Sequence, residues 1–328
     1  MKKSIQLLFA ALVLLSFSAG VTAGNKAKSK QLGIAFYSVK GMDSDMEGSL
    51  KSVSNDGYVV AESASYNAQA GKFGEYSPTD YAALVDKYGI DLISSHVRAS
   101  FDVADEAGTL AAWKKVFEDH KAAGCKYVIL PSNRWDNTLE GVKAQCDLMN
   151  KIGAEANKLG MKFGYHNHSA EFEKIGTSDQ ILEDYLIANT DPDKVFFQMD
   201  VYWITQGGQD PVEYLKKYPK RIQVLHIKDD YVIGASGEID YEAIFKQFYK
   251  NGHKDWFVEI EAKLTDEEKA QRAKFMEEMR KAQAEGKEFR PKPGSMPGFG
   301  APDPAKLKVS LEAISESAVY LKNASFVK

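Results

Sequence analysis

The feature of this sequence that most constrains its fold is an alternation of short apolar runs with longer amphipathic segments. Most of the runs are almost continuously apolar, which is typical of parallel strands buried on both faces of a sheet. Eight runs qualify as predicted strands: Leu32–Tyr37, Tyr58–Ala61, Leu92–His96, Tyr127–Pro131, Lys162–His166, Val195–Asp200, Gln223–Ile227 and Phe257–Ile260.

The segments between these runs have the apolar spacing of amphipathic helices. The clearest are Asp80–Tyr88, Leu110–Ala123, Leu139–Leu159, Gln180–Ala188, Pro211–Lys217 and Tyr241–Tyr249. Residues that favour helix ends stand beside them, with Gly89, Gly124, Gly160 and Gly252 at predicted C-terminal ends and Thr138 and Ser178 at predicted N-caps.

Eight strand–helix repeats predict an α/β fold, a single (β/α)8 TIM barrel. The competing fold is a doubly wound sheet, which normally has a glycine-rich phosphate loop after its first strand. Here the first strand is followed by the segment 37–42, Tyr-Ser-Val-Lys-Gly-Met, which lacks that glycine pattern. We therefore predict the barrel.

One stretch, residues 262–305, interrupts the repeat after the eighth strand. Its first half, Asp266 to Arg290, is highly charged and predicts a solvated helix, while Pro291 to Pro304 is too rich in Pro and Gly for a helix or a central strand. The helical pattern Leu307–Leu321 then completes the barrel. We interpret the stretch as an insertion that covers the barrel mouth, or that reaches a neighbouring subunit in a homo-oligomer, with a surface excursion as the alternative.

The N-terminus has the pattern of a secretory signal peptide. Lys2 and Lys3 precede an apolar run from Ile5 to about Phe17, and small residues lead to Ala23. The run is shorter than the 20 or so residues of a membrane span. We predict a signal peptide over residues 1–23, export to the periplasm, and a barrel over 24–328 with no membrane association after cleavage.

Charge and cysteine content narrow the choice of partners and compartment. The formal net charge of −4 comes without a basic cluster, which disfavours nucleic acid and anionic membranes as partners. In an oxidising compartment Cys125 and Cys146 could pair, but both lie in apolar or helical patterns and burial as free thiols is the alternative.

Polar residues stand at the ends of the last four predicted strands, where TIM-barrel active sites lie. They are His166, His168 and Glu171 after the fifth, Asp200 at the sixth, His226 and Lys228 at the seventh, and Glu259 at the eighth. Each alone could be a helix cap, a core residue or half of an ion pair. Together on one rim, imidazole and carboxylate groups predict a divalent metal site.

These segments resemble the sugar phosphate isomerase/epimerase superfamily, the xylose isomerase-like barrels. The resemblance rests on Tyr165-His-Asn-His-Ser-Ala-Glu-Phe, Gln198-Met-Asp, Leu225-His-Ile-Lys-Asp and Val258-Glu-Ile-Glu, and extends over most of the chain outside the insertion. Metal sites of this family use one residue from each of strands five to eight, usually Glu, Asp, His and Glu. The resemblance therefore implies Asp200, His226 and Glu259 as ligands, with His166 in the first position and His168 or Glu171 as substitutes.

The resemblance also implies proton abstraction beside a carbonyl, with the metal stabilising an enediolate. We expect Mn²⁺, with Zn²⁺, Co²⁺ or Mg²⁺ as alternatives. The base is sought among His168, Glu171, Lys228 and Glu62, with Glu259 as a further catalytic carboxylate; Lys228 is equally a candidate surface ion-pair lysine. Expected substrate contacts are Glu62, His96, Trp135 and Trp203, the last two as stacking surfaces for a sugar.

Three functions remain open from the sequence. The first is a metal-dependent sugar isomerase or epimerase, the second a lyase that cleaves 3-keto-glycosides by β-elimination, and the third a non-catalytic sugar-binding barrel. Because no phosphate-binding loop is evident, we expect a neutral sugar, a keto-sugar or an oxidised glycoside as the small-molecule partner.

Overall fold

A computed structural model of the protein describes residues 30–261, 265–284 and 304–328. Eight parallel strands close a barrel in which each strand pairs with the next along the chain and the eighth pairs with the first. The strands are β1 (Leu32–Ala35), β2 (Tyr58–Ser63), β3 (Asp91–His96), β4 (Tyr127–Leu130), β5 (Lys162–His166), β6 (Val195–Asp200), β7 (Ile222–Ile227) and β8 (Asp255–Val258). The predicted TIM barrel is confirmed, and each predicted strand is present.

The described helices are mostly those that the apolar spacing predicts. They are α1 (Met46–Asn55), α2 (Pro78–Lys87), α3 (Glu106–Ala122), α4 (Leu139–Lys158), α5 (Leu182–Asn189), α6 (Val201–Gln206), α7 (Pro211–Lys217), α8 (Tyr241–Lys250), α9 (Asp266–Ala284) and α10 (Pro304–Asn323). A small antiparallel hairpin, Tyr66–Asn67 with Lys72–Phe73, follows β2. Within the described ranges, no helix has both the length and the apolar character that a membrane span needs.

Helix ends agree with the cap predictions with one exception. The four predicted C-terminal glycines all have positive φ, and the Thr138 side chain accepts a hydrogen bond from Gly141 N at the start of α4. The prediction for Ser178 is wrong. The helix α5 begins later, after Ile181, and Ser178 Oγ instead accepts from Gln180 N in the preceding turn.

The barrel interior is divided into an apolar part and a polar part. A separate apolar cluster contains Val60, Phe196, Val224 and Phe257. Side chains two positions apart on a strand face the same side, so the residues that follow these at i+2 point into the same interior, nearer the C-terminal ends. Those residues are Glu62, Gln198, His226 and Glu259. The apolar cluster thus forms the floor of the polar site.

Close packing of this floor depends on a glycine in β5. A Cβ built on Gly164 would lie 2.6 Å from Cζ of Phe196, so a larger residue would displace that ring. Gly164 precedes His166 by two positions, and this packing therefore fixes the strand that carries the histidine.

The two cysteines, Cys125 and Cys146, lie in the protein core. Cys125 and Cys146 are both buried and both free, so the disulfide alternative is wrong and the burial alternative is confirmed. Burial raises the pKa of each thiol to about 12.

Helix α9 lies where a solvated helix is predicted, with Phe275 as a buried residue among exposed ones. The Pro/Gly-rich part of the insertion and the predicted signal peptide lie outside the described residues.

Candidate metal centre and active site

Four side chains at consecutive strand ends converge at the C-terminal mouth of the barrel. His166 and Asp200 end β5 and β6, His226 lies near the end of β7, and Glu259 directly follows β8. One potential ligand atom of each lies within 4.8 Å of those of the other three, and all four residues are buried. Among the described residues, His166 rather than His168 or Glu171 joins the group. His166 is also the residue that the sequence places first for the ligand of strand five.

Asp200 has one oxygen engaged and one unpaired. Its Oδ1 accepts hydrogen bonds from the backbone N–H groups of Tyr202 and Trp203, each at 2.9 Å, and so caps α6. Its Oδ2 is buried without a hydrogen-bond partner. A buried carboxylate oxygen without a donor is costly, and a cation would satisfy it.

His226 also turns a nitrogen toward the cluster. Its Nδ1 lies 2.8 Å from Glu259 Oε2, but the two are not aligned as a hydrogen bond and Nδ1 has no other partner in the described structure. Two imidazoles and two carboxylates form a donor set of the kind that Mn²⁺, Zn²⁺ or Co²⁺ accepts. The donor chemistry and the two unpaired atoms therefore fit a divalent cation.

The charged groups of the cluster and its neighbours shift one another's pKa. Burial raises the pKa of Asp200 to about 7. Burial opposes the charge of His226, but Glu62 and Glu259 outweigh it and raise the pKa of this imidazole to about 10. Burial likewise opposes the charge of Glu259, but Lys228 and His226 hold the pKa of its carboxyl well below the ordinary value.

Lys228 is ion-paired, as one interpretation of the sequence had it, but it is not on the surface. Its side chain is fully buried, and Nζ lies 2.7 Å from Glu259 Oε1 and 2.9 Å from Glu261 Oε1. Burial opposes the charge, but Glu259 and Glu261 raise the pKa of the ammonium above its ordinary value. Nζ also lies 5.5 Å from the centre of the Trp203 ring. Lys228 is therefore a buried ammonium at the edge of the cluster, a poor base, and a proton donor only to a strongly basic oxygen.

His168 lies near the same indole. Its ring centre is 5.7 Å from that of Trp203 and 4.9 Å from that of His166. In the described part of the chain, the His168 ring has no hydrogen bond, and the residue is only partly buried. Burial lowers the pKa of this imidazole, which favours the neutral form. His168 is thus a neutral imidazole at the open side of the site.

Glu171 and Trp135 hold the turn that carries His168. Glu171 accepts from the His168 backbone N–H at 2.8 Å and from the Tyr165 hydroxyl at 2.5 Å, so both its oxygens are engaged. Trp135 Nε1 donates to the same hydroxyl at 2.9 Å. Glu171 therefore positions this turn, and a role for it in proton abstraction stays a prediction. Contact of the Trp135 ring with a sugar stays a prediction.

Glu62 and His96 lie behind the cluster. Glu62 is 1% exposed and is surrounded by donors from Ser94, Gln198 and His226. His96 Nε2 lies 2.7 Å from Gln198 Oε1 and 3.1 Å from Glu62 Oε1. The position of Glu62 leaves it no free oxygen for a substrate, whereas the His96 ring is only partly buried.

Sequence reasoning gave no role to Gln198, Ser94 or Glu261. Gln198 belongs to the Gln-Met-Asp segment, and its signal was a polar side chain two positions before Asp200 on the same strand face. Glu261 likewise lies two positions from a proposed ligand, after Glu259. For Ser94, a small polar residue inside an apolar strand, the sequence carries no distinguishing signal.

A closed parallel barrel with imidazole and carboxylate groups at the ends of β5–β8 defines the class of protein, a TIM barrel with an active-site cluster at its C-terminal mouth. The chain belongs to the xylose isomerase-like TIM barrel family, whose sequence profile matches residues 52–288. A solved sugar phosphate isomerase/epimerase from Parabacteroides distasonis ATCC 8503 is 31% identical, with a TM-score of 0.74, and the match covers 92% of this chain and 100% of that one. The family resemblance inferred from the sequence is confirmed.

Curated relatives include inosose dehydratases. That of Geobacillus kaustophilus (strain HTA426) is 26% identical over 245 residues, which are 62% of this chain and 75% of that protein. That of Clostridium botulinum (strain Alaska E43 / Type E3) is 32% identical over 139 residues, or 35% of this chain and 44% of that protein. The chain thus spans less than half the length of the clostridial relative.

Proposed function

We propose that this protein is a divalent-metal-dependent carbohydrate lyase. It removes a proton from the carbon beside a carbonyl and expels an oxygen substituent from the next carbon. The observation that carries the proposal is the placement of His168 and Lys228, a neutral imidazole and a buried ammonium, within 6 Å of the same Trp203 ring and beside the four-residue cluster.

The relatives, named as dehydratases, isomerases or epimerases, indicate a carbohydrate-acting enzyme, so the prediction of an enzyme is confirmed. Which reaction it catalyses is the part that we propose. A dehydratase performs an elimination, and the inosose dehydratases therefore support a lyase.

His166, Asp200, His226 and Glu259 would hold the cation, and their donor set and unpaired atoms support this assignment. When bound, a divalent cation acts as a Lewis acid that polarises a substrate carbonyl and acidifies the adjacent C–H bond. We expect Mn²⁺ or Zn²⁺, because both accept mixed imidazole and carboxylate ligands.

In the proposed reaction, His168 accepts the proton of the carbon beside the carbonyl. The electron pair of that C–H bond forms a C=C bond, and the C–O bond at the next carbon breaks. The leaving oxygen takes that electron pair and a proton from the Lys228 ammonium, so the products are an unsaturated ketone and an alcohol or water. A base and an acid of different kinds match the two proton transfers of an elimination.

Sugar isomerisation or epimerisation is the second candidate, and the solved relative named isomerase/epimerase favours it. Isomerisation requires that His168 return the proton to the former carbonyl carbon and that a second proton pass from the neighbouring hydroxyl to the carbonyl oxygen. Epimerisation requires a second base on the other face, and the two oxygens of Glu171 are already engaged. For this reason we place the lyase first.

The test is product analysis with Mn²⁺- or Zn²⁺-loaded protein, given free keto-sugars and 3-keto-glycosides that carry a chromogenic aglycone. We expect aglycone release from the 3-keto-glycoside and none from the same glycoside without the keto group, because only the ketone acidifies the C–H bond. Interconversion of free keto-sugars with no aglycone release would instead support the isomerase.

Export to the periplasm is part of the proposal and is supported by Lys2, Lys3 and the apolar run that follows them. Mass spectrometry of the exported protein should find Gly24 at the N-terminus. A chain that still begins at Met1 would contradict export through this signal.

A further inference from the structure

Each histidine of the proposed metal site has one ring nitrogen facing a buried polar group behind the site. His226 Nε2 lies 2.7 Å from Glu62 Oε1, and His166 Nδ1 lies 3.0 Å from Gln198 Oε1. The two histidines therefore use different nitrogens toward this group, Nε2 in one and Nδ1 in the other. The nitrogen left for a cation must differ accordingly.

Glu62 and Gln198 are joined to each other and cannot easily reorient. Gln198 Nε2 donates to Glu62 Oε2 at 2.9 Å, and Ser94 Oγ donates to the same oxygen at 2.7 Å. Because the amide nitrogen of Gln198 is committed to Glu62, its Oε1 faces the histidines, where His96 Nε2 also lies at 2.7 Å. Glu62, Ser94, Gln198 and His226 are each at most 1% exposed, so water does not compete for these groups.

An acceptor opposite a ring nitrogen requires that nitrogen to carry the proton when the imidazole is neutral. Glu62 therefore selects the Nε2–H form of neutral His226 and leaves Nδ1, which faces the proposed ligand Glu259 at 2.8 Å, for the cation. Gln198 selects the Nδ1–H form of His166 and leaves Nε2 free. The Nδ1 atom of His226 is the one that has no hydrogen-bond partner in the described structure.

We infer that Glu62 and Gln198 are positioning residues that impose opposite tautomers on the two histidine ligands, so that His166 presents Nε2 and His226 presents Nδ1 to the cation. This inference rests on the proposed function. A carboxylate or amide that fixes the second nitrogen of a ligating histidine orients the ring and raises its affinity for metal. The role assigned to Glu62 also explains why a carboxylate is buried in the barrel interior against His226.

The experiment uses the full chain loaded with Zn²⁺, which is diamagnetic, and histidine labelled with ¹⁵N. Long-range ¹H–¹⁵N spectra distinguish the two tautomers in each of the six histidines. We expect His226 to show a proton on Nε2 and zinc on Nδ1, and His166 to show the reverse. Equal tautomers in the two rings, or the opposite assignment, would overturn the inference.

Two variants test the same point through affinity. Glu62→Gln leaves one acceptor oxygen where the carboxylate has two, and Gln198→Met removes the acceptor for His166. We expect each to weaken Zn²⁺ binding about 10–100-fold in competition with a chelating indicator. The matched control is Glu183→Gln, the same change at another buried carboxylate in α5, which should leave Zn²⁺ affinity unchanged.

The outcomes separate this inference from the proposed function. If the wild-type chain binds no divalent cation, the metal-dependent function fails and the inference fails with it. If the wild type binds Zn²⁺ and both variants bind it as tightly with unchanged tautomers, only the inference is overturned. A variant that does not fold leaves the wild-type spectra as the deciding measurement.

Discussion

Nζ of Lys228 lies 2.7 Å from Oε1 of Glu259, and both side chains are buried directly after the neighbouring strands β7 and β8. A buried ammonium is stable only when its charge is compensated, and Glu261 provides a second carboxylate at 2.9 Å. The pair places a proton donor beside the proposed ligand Glu259. The chemistry proposed for the site depends on this contact.

Replacing Lys228 by Met should therefore abolish the donor while keeping a chain of similar length. We expect kcat to fall by about 10²-fold or more, as when a general acid is removed, with bound metal retained. Melting temperature should also fall, because Glu259 and Glu261 lose their buried counter-charge. Lys162→Met, at an exposed lysine where β5 begins, is the control, and a kcat for Lys228→Met equal to that of this control would contradict the donor role.

His168→Asn should remove the proposed base without disturbing the cluster. The expected result is a loss of about 10²–10⁴-fold in the rate at which the C–H beside the substrate carbonyl exchanges with D₂O, followed by NMR. Metal content should stay at the wild-type level. His253→Asn, at a partly buried histidine that follows α8, provides the comparison. Wild-type exchange in His168→Asn would contradict the assignment of His168 as the base.

We expect a substitution of Glu183, which lies outside the active site, to stabilise the folded protein. It is 4% exposed, its Oε2 has no hydrogen-bond partner, and burial raises the pKa of its carboxyl well above the ordinary value. The folded state then holds this proton more tightly than the unfolded chain, so stability is lost as pH rises through the raised pKa.

Glu183→Gln should accordingly raise the melting temperature at pH 7 by about 2–4 °C. The gain should grow as pH rises from the ordinary value of 4.5 toward the raised pKa of Glu183. Scanning calorimetry at several pH values measures it, with the exposed Glu242→Gln as control. A gain that is the same at every pH would show that ionisation is not the cause.

His120 gives the opposite dependence on pH. Burial lowers the pKa of its imidazole to about 4, and its ring packs edge-on against Tyr66 and Phe73. Because the unfolded chain takes up this proton near the ordinary value of 6.5, stability falls as pH decreases from 6.5 toward 4.

Denaturant unfolding at pH 7 and pH 5 should show this loss as a component of roughly 2 kcal/mol that His120→Phe lacks. The comparison uses the difference between the two pH values in each protein, because the variant also loses the hydrogen bond from Nδ1 to Val116 O. An equal pH dependence in both proteins would mean that His120 is protonated in the folded state.

The barrel could be predicted from the sequence because its signals are local. Each strand is a short apolar run, and a polar residue such as Asp200 at the end of a run identifies the active-site rim whatever the neighbouring strands are. The cap prediction at Ser178 failed because α5 begins after Ile181, which has no capping side chain, so tertiary packing rather than a cap decides where the helix starts.

The contacts that Glu62 and Gln198 make behind the two histidines could not be predicted in this way. Glu62 and Gln198 are 136 positions apart, and only closure of the barrel brings them together. In the sequence a carboxylate within a buried strand has the same pattern whether it binds a substrate or orients another side chain. From the sequence we therefore expect Glu62 to contact the substrate, whereas in the structure it contacts His226 and Ser94.

The proposed chemistry requires one divalent cation, held by His166, Asp200, His226 and Glu259. The most direct measurement is the metal content of purified wild type and Asp200→Ala after equilibration with Mn²⁺ or Zn²⁺, together with aglycone release from a 3-keto-glycoside. We expect one ion per wild-type chain, and neither ion nor release in Asp200→Ala with the fold intact by circular dichroism. Stoichiometric metal in Asp200→Ala, or full activity in metal-free wild type, would contradict it.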